Sequence, residues 1–179
     1  MNHLQLVYAP HPIFKQKALP IDKVDDEIRV LIDKMLKTLY VEGAVGIGAN
    51  MVGLLKRIAV VDLQEDGVRN PRVFINPKIT WYSEEKQTFK ESSVCFLGIE
   101  AEVTRPRAIG MSYLDYDGNN QELEAEGFLA TVIQHEVDYL DGKVFLDHLS
   151  KLRRDTLMKK MEKYIKMHPP HIHGAHCHH

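Results

Sequence analysis

The dipeptide Asp117-Gly118 stands between two β-type runs, Ala108 to Tyr116 and Glu122 to Ala125, and such a pair flanked by strand formers specifies a hairpin. A hairpin requires antiparallel pairing, so the sheet around it is expected to be antiparallel. Earlier β-type runs extend it: Arg57 to Leu63, Val73 to Asn76 ending at Pro77, Ile79 to Tyr82, Thr88 to Phe96 and Ile99 to Val103. Helical spacing frames these runs on both sides. From Asp22 to Tyr40, Val24, Ile28, Leu31, Ile32, Met35, Leu36 and Leu39 form one stripe, with Asp25, Asp26 and Glu27 at the positive end of the helix dipole. A second helix is predicted over Phe128–Leu140, with Asp141-Gly142 as its stop. A third, basic and amphipathic, is predicted over Lys151–Lys166, placing Leu152, Leu157, Met161 and Ile165 against the body. The order predicts an α+β fold: antiparallel sheets around a central helix, with N-terminal and C-terminal helices.

A chain of 179 residues with 27% charged side chains corresponds to one globular domain, expected over residues 1–167. Beyond Pro169-Pro170 the segment ending His176-Cys177-His178-His179 is expected to be a flexible His-rich tail, 168–179. Whether that tail chelates metals, is an appended extension or reflects chance composition stays open. A formal net charge of -2 argues against broad attraction to nucleic acid or to an anionic membrane. No apolar run reaches the ~20 residues that span a bilayer. With only Cys95 and Cys177 there is no disulfide framework, so the cytoplasm is the expected compartment, an organellar matrix fitting equally. Nothing in the sequence specifies an oligomeric state.

Within the central helix the string His135-Glu136-Val137-Asp138-Tyr139 is close to His-Glu-x-x-His, which sets two imidazoles on one metal and a glutamate beside the metal-bound water. Here the second imidazole is replaced by Tyr139, and a neutral phenol is a poor ligand for a divalent cation. His135 alone would hold metal weakly. Taken by themselves, the three side chains read as ordinary polar residues of a helix; the context of the longer string changes that reading.

The longer string, Glu126 to Gly142, resembles the third motif of peptide deformylases, whose core is His-Glu-x-Asp-His-Leu. Glu91-Ser92-Ser93-Val94-Cys95-Phe96-Leu97-Gly98 is similar to the family's Glu-Gly-Cys-Leu-Ser-x-Pro-Gly, with Ser93 at the cysteine ligand's position. Val45 to Gly53 is similar to the remaining motif, with Met51 where a glutamine would stand, and Phe74-Ile75-Asn76-Pro77 extends the match. The resemblance implies a divalent metal, commonly iron, held by one thiolate and two imidazoles. It further implies a glutamate acting as base and then acid, and a glutamine that stabilises the oxyanion. Glu136 and His135 retain their positions, whereas Ser93, Tyr139 and Met51 replace the other three.

Each loss touches a separate requirement. A hydroxyl and a phenol stay protonated, and Met51 offers no hydrogen-bond donor. Loss of one oxyanion donor alone costs ~10²–10³ in rate in a well-studied protease. Cys95 lies two residues past Ser93 and would share its face on a strand, but it would be displaced by ~7 Å, too far for a ligand set of Cys95, His135 and Glu136 without a changed backbone. The resemblance also implies a peptide bound as an added strand along Val45-Gly46-Ile47, touching Val94, Thr131 and Val132, with the methionine side chain in an apolar pocket. Glu100-Ala101-Glu102, where many relatives carry an arginine, is expected to disfavour a peptide carboxylate. The expectation is therefore a degenerate member without stoichiometric metal that retains binding of a peptide or nascent-chain N-terminus. The alternatives are a weakly active, metal-dependent deformylase with Fe2+ or another divalent ion, a hydrolase with a rearranged site, and a metal-handling protein acting through the tail.

Overall fold

A computed structural model describes residues 2–170. It contains helix α1 (Asp26–Val41), strands β1 (Gly46–Gly48), β2 (Ile58–Val61), β3 (Arg72–Tyr82), β4 (Lys86–Ser93), β5 (Phe96–Pro106), β6 (Ala108–Leu114) and β7 (Asn120–Glu126), then helices α2 (Gly127–Leu140) and α3 (Lys151–Met167). One sheet has the order β1-β2-β3-β6-β7, and β4 and β5 form a separate two-stranded hairpin. Every named pairing is antiparallel, and the architecture is α+β as the sequence predicts.

Local chemistry sets the helix ends. α1 starts at Asp26 rather than Asp22 because the Asp25 carboxylate accepts from the Ile28 N–H at 3.0 Å, capping the first turn. Its buried face is Ile28, Ile32, Met35 and Leu39, the expected stripe. α2 stops where Asp141-Gly142 predicts. α3 buries Met161 completely and packs Leu157 and Ile165 against the core, but Leu152 projects outward at 79% exposure, contrary to the sequence reading.

The strands differ from expectation in two places. Val73–Asn76 and Ile79–Tyr82 are one strand, β3, in which the Pro77 region is absorbed as a register shift against β6. Thr88–Phe96 is not one strand: the chain turns at Val94-Cys95 and reverses from β4 into β5. The Asp117-Gly118 hairpin joins β6 to β7 through residues 115–119; the Asp115 carboxylate accepts from the Asp117 and Asn119 N–H groups, and Gly118 takes a φ of +86°.

Helix α2 lies at the centre. Ten of its fourteen residues are buried, which places its polar side chains where only specific partners can satisfy them. Of the expected tail, His168 closes α3 by donating its N–H to the Tyr164 carbonyl, and residues 171–179 lie outside the described residues. Among the described residues no helix is long and apolar enough to cross a membrane.

Candidate functional site

A cleft of about 240 Å³ opens between β1, the β4–β5 turn and α2. Val45, Gly46, Met51, Ser93, Val94, Thr131, Val132, His135 and Glu136 all line it, so three distant sequence segments converge on one surface. β1 is the edge strand of its sheet. The Val45 carbonyl accepts from the Asp62 N–H at 2.9 Å, and antiparallel alternation then turns the Gly46 N–H and C=O toward the open side. Gly46 is also sterically required: a Cβ there would stand 2.7 Å from Glu136 Oε1.

His135 is fixed from behind. Its Nδ1 lies 2.8 Å from Glu91 Oε1, and Arg105 donates to both Glu91 oxygens at 2.8 and 2.9 Å. Burial alone pushes the Glu91 carboxyl up, but the hydrogen bonds from His135 and Arg105 outweigh it and hold it below the ordinary carboxylate range. Glu91 is thus ionised, Nδ1 carries the imidazole proton, and Nε2 is left as the outward nitrogen. Arg105 also donates to Asp138 Oδ2 at 2.8 Å, and His148 Nε2 contacts the same oxygen at 2.7 Å. Sequence reasoning assigned no role to Glu91, Arg105 or Asp138.

The remaining ligand positions are differently disposed. Ser93 Oγ and Tyr139 OH are hydrogen-bonded to each other at 2.5 Å. Tyr139 is fully buried and in ring contact with Phe14, Phe96 and His135. Burial pushes its phenol well above the ordinary tyrosine range, so the pair consists of two neutral hydroxyls that satisfy one another. Met51 Sδ accepts from the Gly48 N–H at 3.2 Å, so the side chain at the oxyanion-donor position takes up a backbone donor. The Cys95 position differs from the strand geometry expected of it: it occupies the β4–β5 turn, donates its N–H to Ser93 Oγ at 3.2 Å and buries its thiol beside the Met51 carbonyl. Burial raises that thiol well above its ordinary range, and Cys95 does not line the cleft. The displaced set of Cys95, His135 and Glu136 is therefore not assembled. Among the described residues no three His, Cys, Asp or Glu side chains lie close enough together to share a metal ion.

Glu136 packs against the backbone of Gly46 and Gly48. Burial raises its carboxyl to about 7, partly offset by His135. Its Oε2 is buried with no hydrogen-bond partner among the described residues, as is Asn50 Oδ1, whose amide nitrogen donates to the Tyr139 carbonyl at 2.5 Å.

The sequence profile of the polypeptide deformylase family matches residues 3–155. The chain belongs to the peptide deformylase family. A peptide deformylase-like protein of Rickettsia conorii is 67% identical to it, over 99% of this chain and 97% of that one. A peptide deformylase of Rickettsia akari is 43% identical over 91% of this chain and 97% of its own length. Among solved structures, the Ehrlichia chaffeensis peptide deformylase in complex with actinonin superposes with a TM-score of 0.87 at 36% identity, covering 95% of this chain and 100% of that one. Peptide deformylases use a divalent metal to acidify water, but the donors here do not fit one: of the three ligand positions only His135 presents a metal-binding atom, and the other two are closed on each other.

Proposed function

We propose that this protein is a peptide-binding member of the deformylase family that lacks metal-dependent removal of the formyl group and holds no stoichiometric metal. The hydroxyl pair of Ser93 and Tyr139 carries this reading, since it occupies two ligand positions with neutral groups already satisfied. What the family uses to hold a peptide does not depend on those positions. The Gly46 edge offers main-chain hydrogen bonds, while Val45, Val94, Thr131 and Val132 give the walls of a site for the first side chains of a peptide or nascent chain, in the cytoplasm.

A second reading, a weakly active deformylase with Fe2+ or another divalent ion, is favoured by the names of relatives at 41–44% identity, which are peptide deformylases. Metal analysis of the whole chain and of a chain ending at Pro170, combined with a formyl-methionyl tripeptide hydrolysis assay and peptide-binding isotherms, separates the two. The first reading expects substoichiometric metal in the shortened chain, no turnover above buffer and saturable peptide binding. Stoichiometric metal with turnover would establish the second.

A further inference from the structure

The formal net charge of -2 conceals a strong segregation of charge. Helix α3 carries Lys151, Arg153, Arg154, Lys159, Lys160, Lys163 and Lys166 against only Asp155 and Glu162, so cations concentrate on one surface element while the remainder of the chain is acidic. Met161, completely buried, marks the inward face of α3, with Leu157 and Ile165 packed beside it on the core. Helical periodicity then fixes what points outward. Leu152, Thr156, Lys159, Lys163 and Lys166 follow one another at four- and three-residue steps and are all exposed; Arg153, Lys160 and Met167 form an exposed row beside them. Two of the helix cations are neutralised locally, Lys151 by Asp155 at 2.7 Å and Arg154 by Asp147 at 3.4 Å. The other five, Arg153, Lys159, Lys160, Lys163 and Lys166, have no ion-pair partner among the described residues.

Such a surface requires a partner that is anionic and also accepts apolar side chains. At its two ends stand Leu152 and Met167, 79% and 68% exposed, which a row of phosphates alone would leave in water. The means of holding single-stranded nucleic acid are committed elsewhere. Tyr164, the aromatic residue of α3, packs on the bare backbone of Gly98 and stacks on His168, so its ring is not free to receive a base. We propose that α3 docks flat on an anionic lipid surface, with the five unpaired cations over the headgroups and Leu152 and Met167 reaching the boundary of the acyl region. The helix runs for 17 residues, about 25 Å, so its cations meet several headgroups at once. No residue of α3 lines the cleft, and the proposal therefore stands independently of the peptide-binding reading.

The test mixes the full chain, at about pH 8 where histidine is neutral, with phosphatidylcholine vesicles made with or without phosphatidylserine, and adds a structured RNA as competitor at equal phosphate concentration. Co-sedimentation with the phosphatidylserine vesicles alone is expected, undisturbed by the RNA and weakened as salt rises from about 0.1 M to about 0.5 M. Each cation near an anionic surface contributes roughly fivefold in affinity, so Lys159→Gln combined with Lys163→Gln is expected to weaken binding about 25-fold. Leu152→Ser keeps the charge and is expected to weaken it roughly fivefold through the lost apolar contact. All three positions are exposed, so the variants keep the fold, which circular dichroism checks. Failure of the folded chain to sediment with the anionic vesicles would overturn the proposal, as would equal binding to phosphatidylcholine alone or displacement by the RNA. Binding that survives either the paired lysine substitution or Leu152→Ser undiminished would overturn it as well.

Discussion

At position 139 a phenol replaces an imidazole without leaving a gap. Its ring sits 5.7 Å from Phe14 and 5.4 Å from His135, and its hydroxyl meets Ser93. Removing that hydroxyl with Tyr139→Phe keeps the ring packing and leaves Ser93 Oγ bonded to the Cys95 N–H, so denaturant unfolding should show a loss of about 1 kcal/mol. A far larger loss would mean that the hydroxyl pair holds the cleft open. The converse experiment combines Ser93→Cys, Met51→Gln and Tyr139→His. If only these residues separate the chain from metal chemistry, the folded triple variant should bind one divalent ion and hydrolyse a formyl-methionyl peptide measurably. A folded variant that stays metal-free would show that the spacing between β4 and α2 has drifted as well. The three substitutions were legible in the sequence because the motifs around them are long. What each replacement bonds to was not, since Ser93 and Tyr139 are 46 positions apart.

Between elements, the ion network is what ties the β4–β5 hairpin to α2. Arg105 on β5, 3% exposed in its side chain, bridges Glu91 on β4 and Asp138 on α2. Arg105→Met leaves two carboxylates without their cation, and breaking a buried pair in this way costs about 3–5 kcal/mol. Hydrogen exchange should then quicken in β4 and β5 before the five-stranded sheet; uniform exchange would argue against a local clamp. The sequence carried a signal for Arg105 that periodicity alone exposes. Along β5, Ile99, Ala101 and Val103 are buried and alternate with exposed residues, and Arg105 falls on the inward parity. The helices were legible because their stripes and caps are local. The β4–β5 boundary was not, because Val94, Cys95 and Phe96 all favour strands and the turn is held by tertiary contacts, the Cys95 N–H on Ser93 Oγ and the Ala9 N–H on the Cys95 carbonyl.

For the molecule as a whole, the retained carboxylate has a thermodynamic consequence. Glu136 has an ordinary pKa of 4.5 in the unfolded chain and about 7 in the folded one, raised by burial. Between those values the folded state holds a proton that the unfolded state has released, so stability falls as pH rises through the window, by about 3 kcal/mol in total. Glu91 and Asp138 act in the opposite sense: burial raises them, but their hydrogen bonds and ion pairs lower them further, so their stabilisation is complete above the ordinary carboxylate range and is lost as the solution becomes more acidic. The two effects confine the stability maximum to mildly acidic solution. Urea unfolding at a series of pH values should show the decline from about pH 5 to pH 7.5, and Glu136→Gln should flatten that limb while leaving the acid limb intact. A decline that persists unchanged in Glu136→Gln would assign it to another group. Flattening would show that burial of the Glu136 carboxyl is what lowers the stability of this protein as the solution approaches neutral pH.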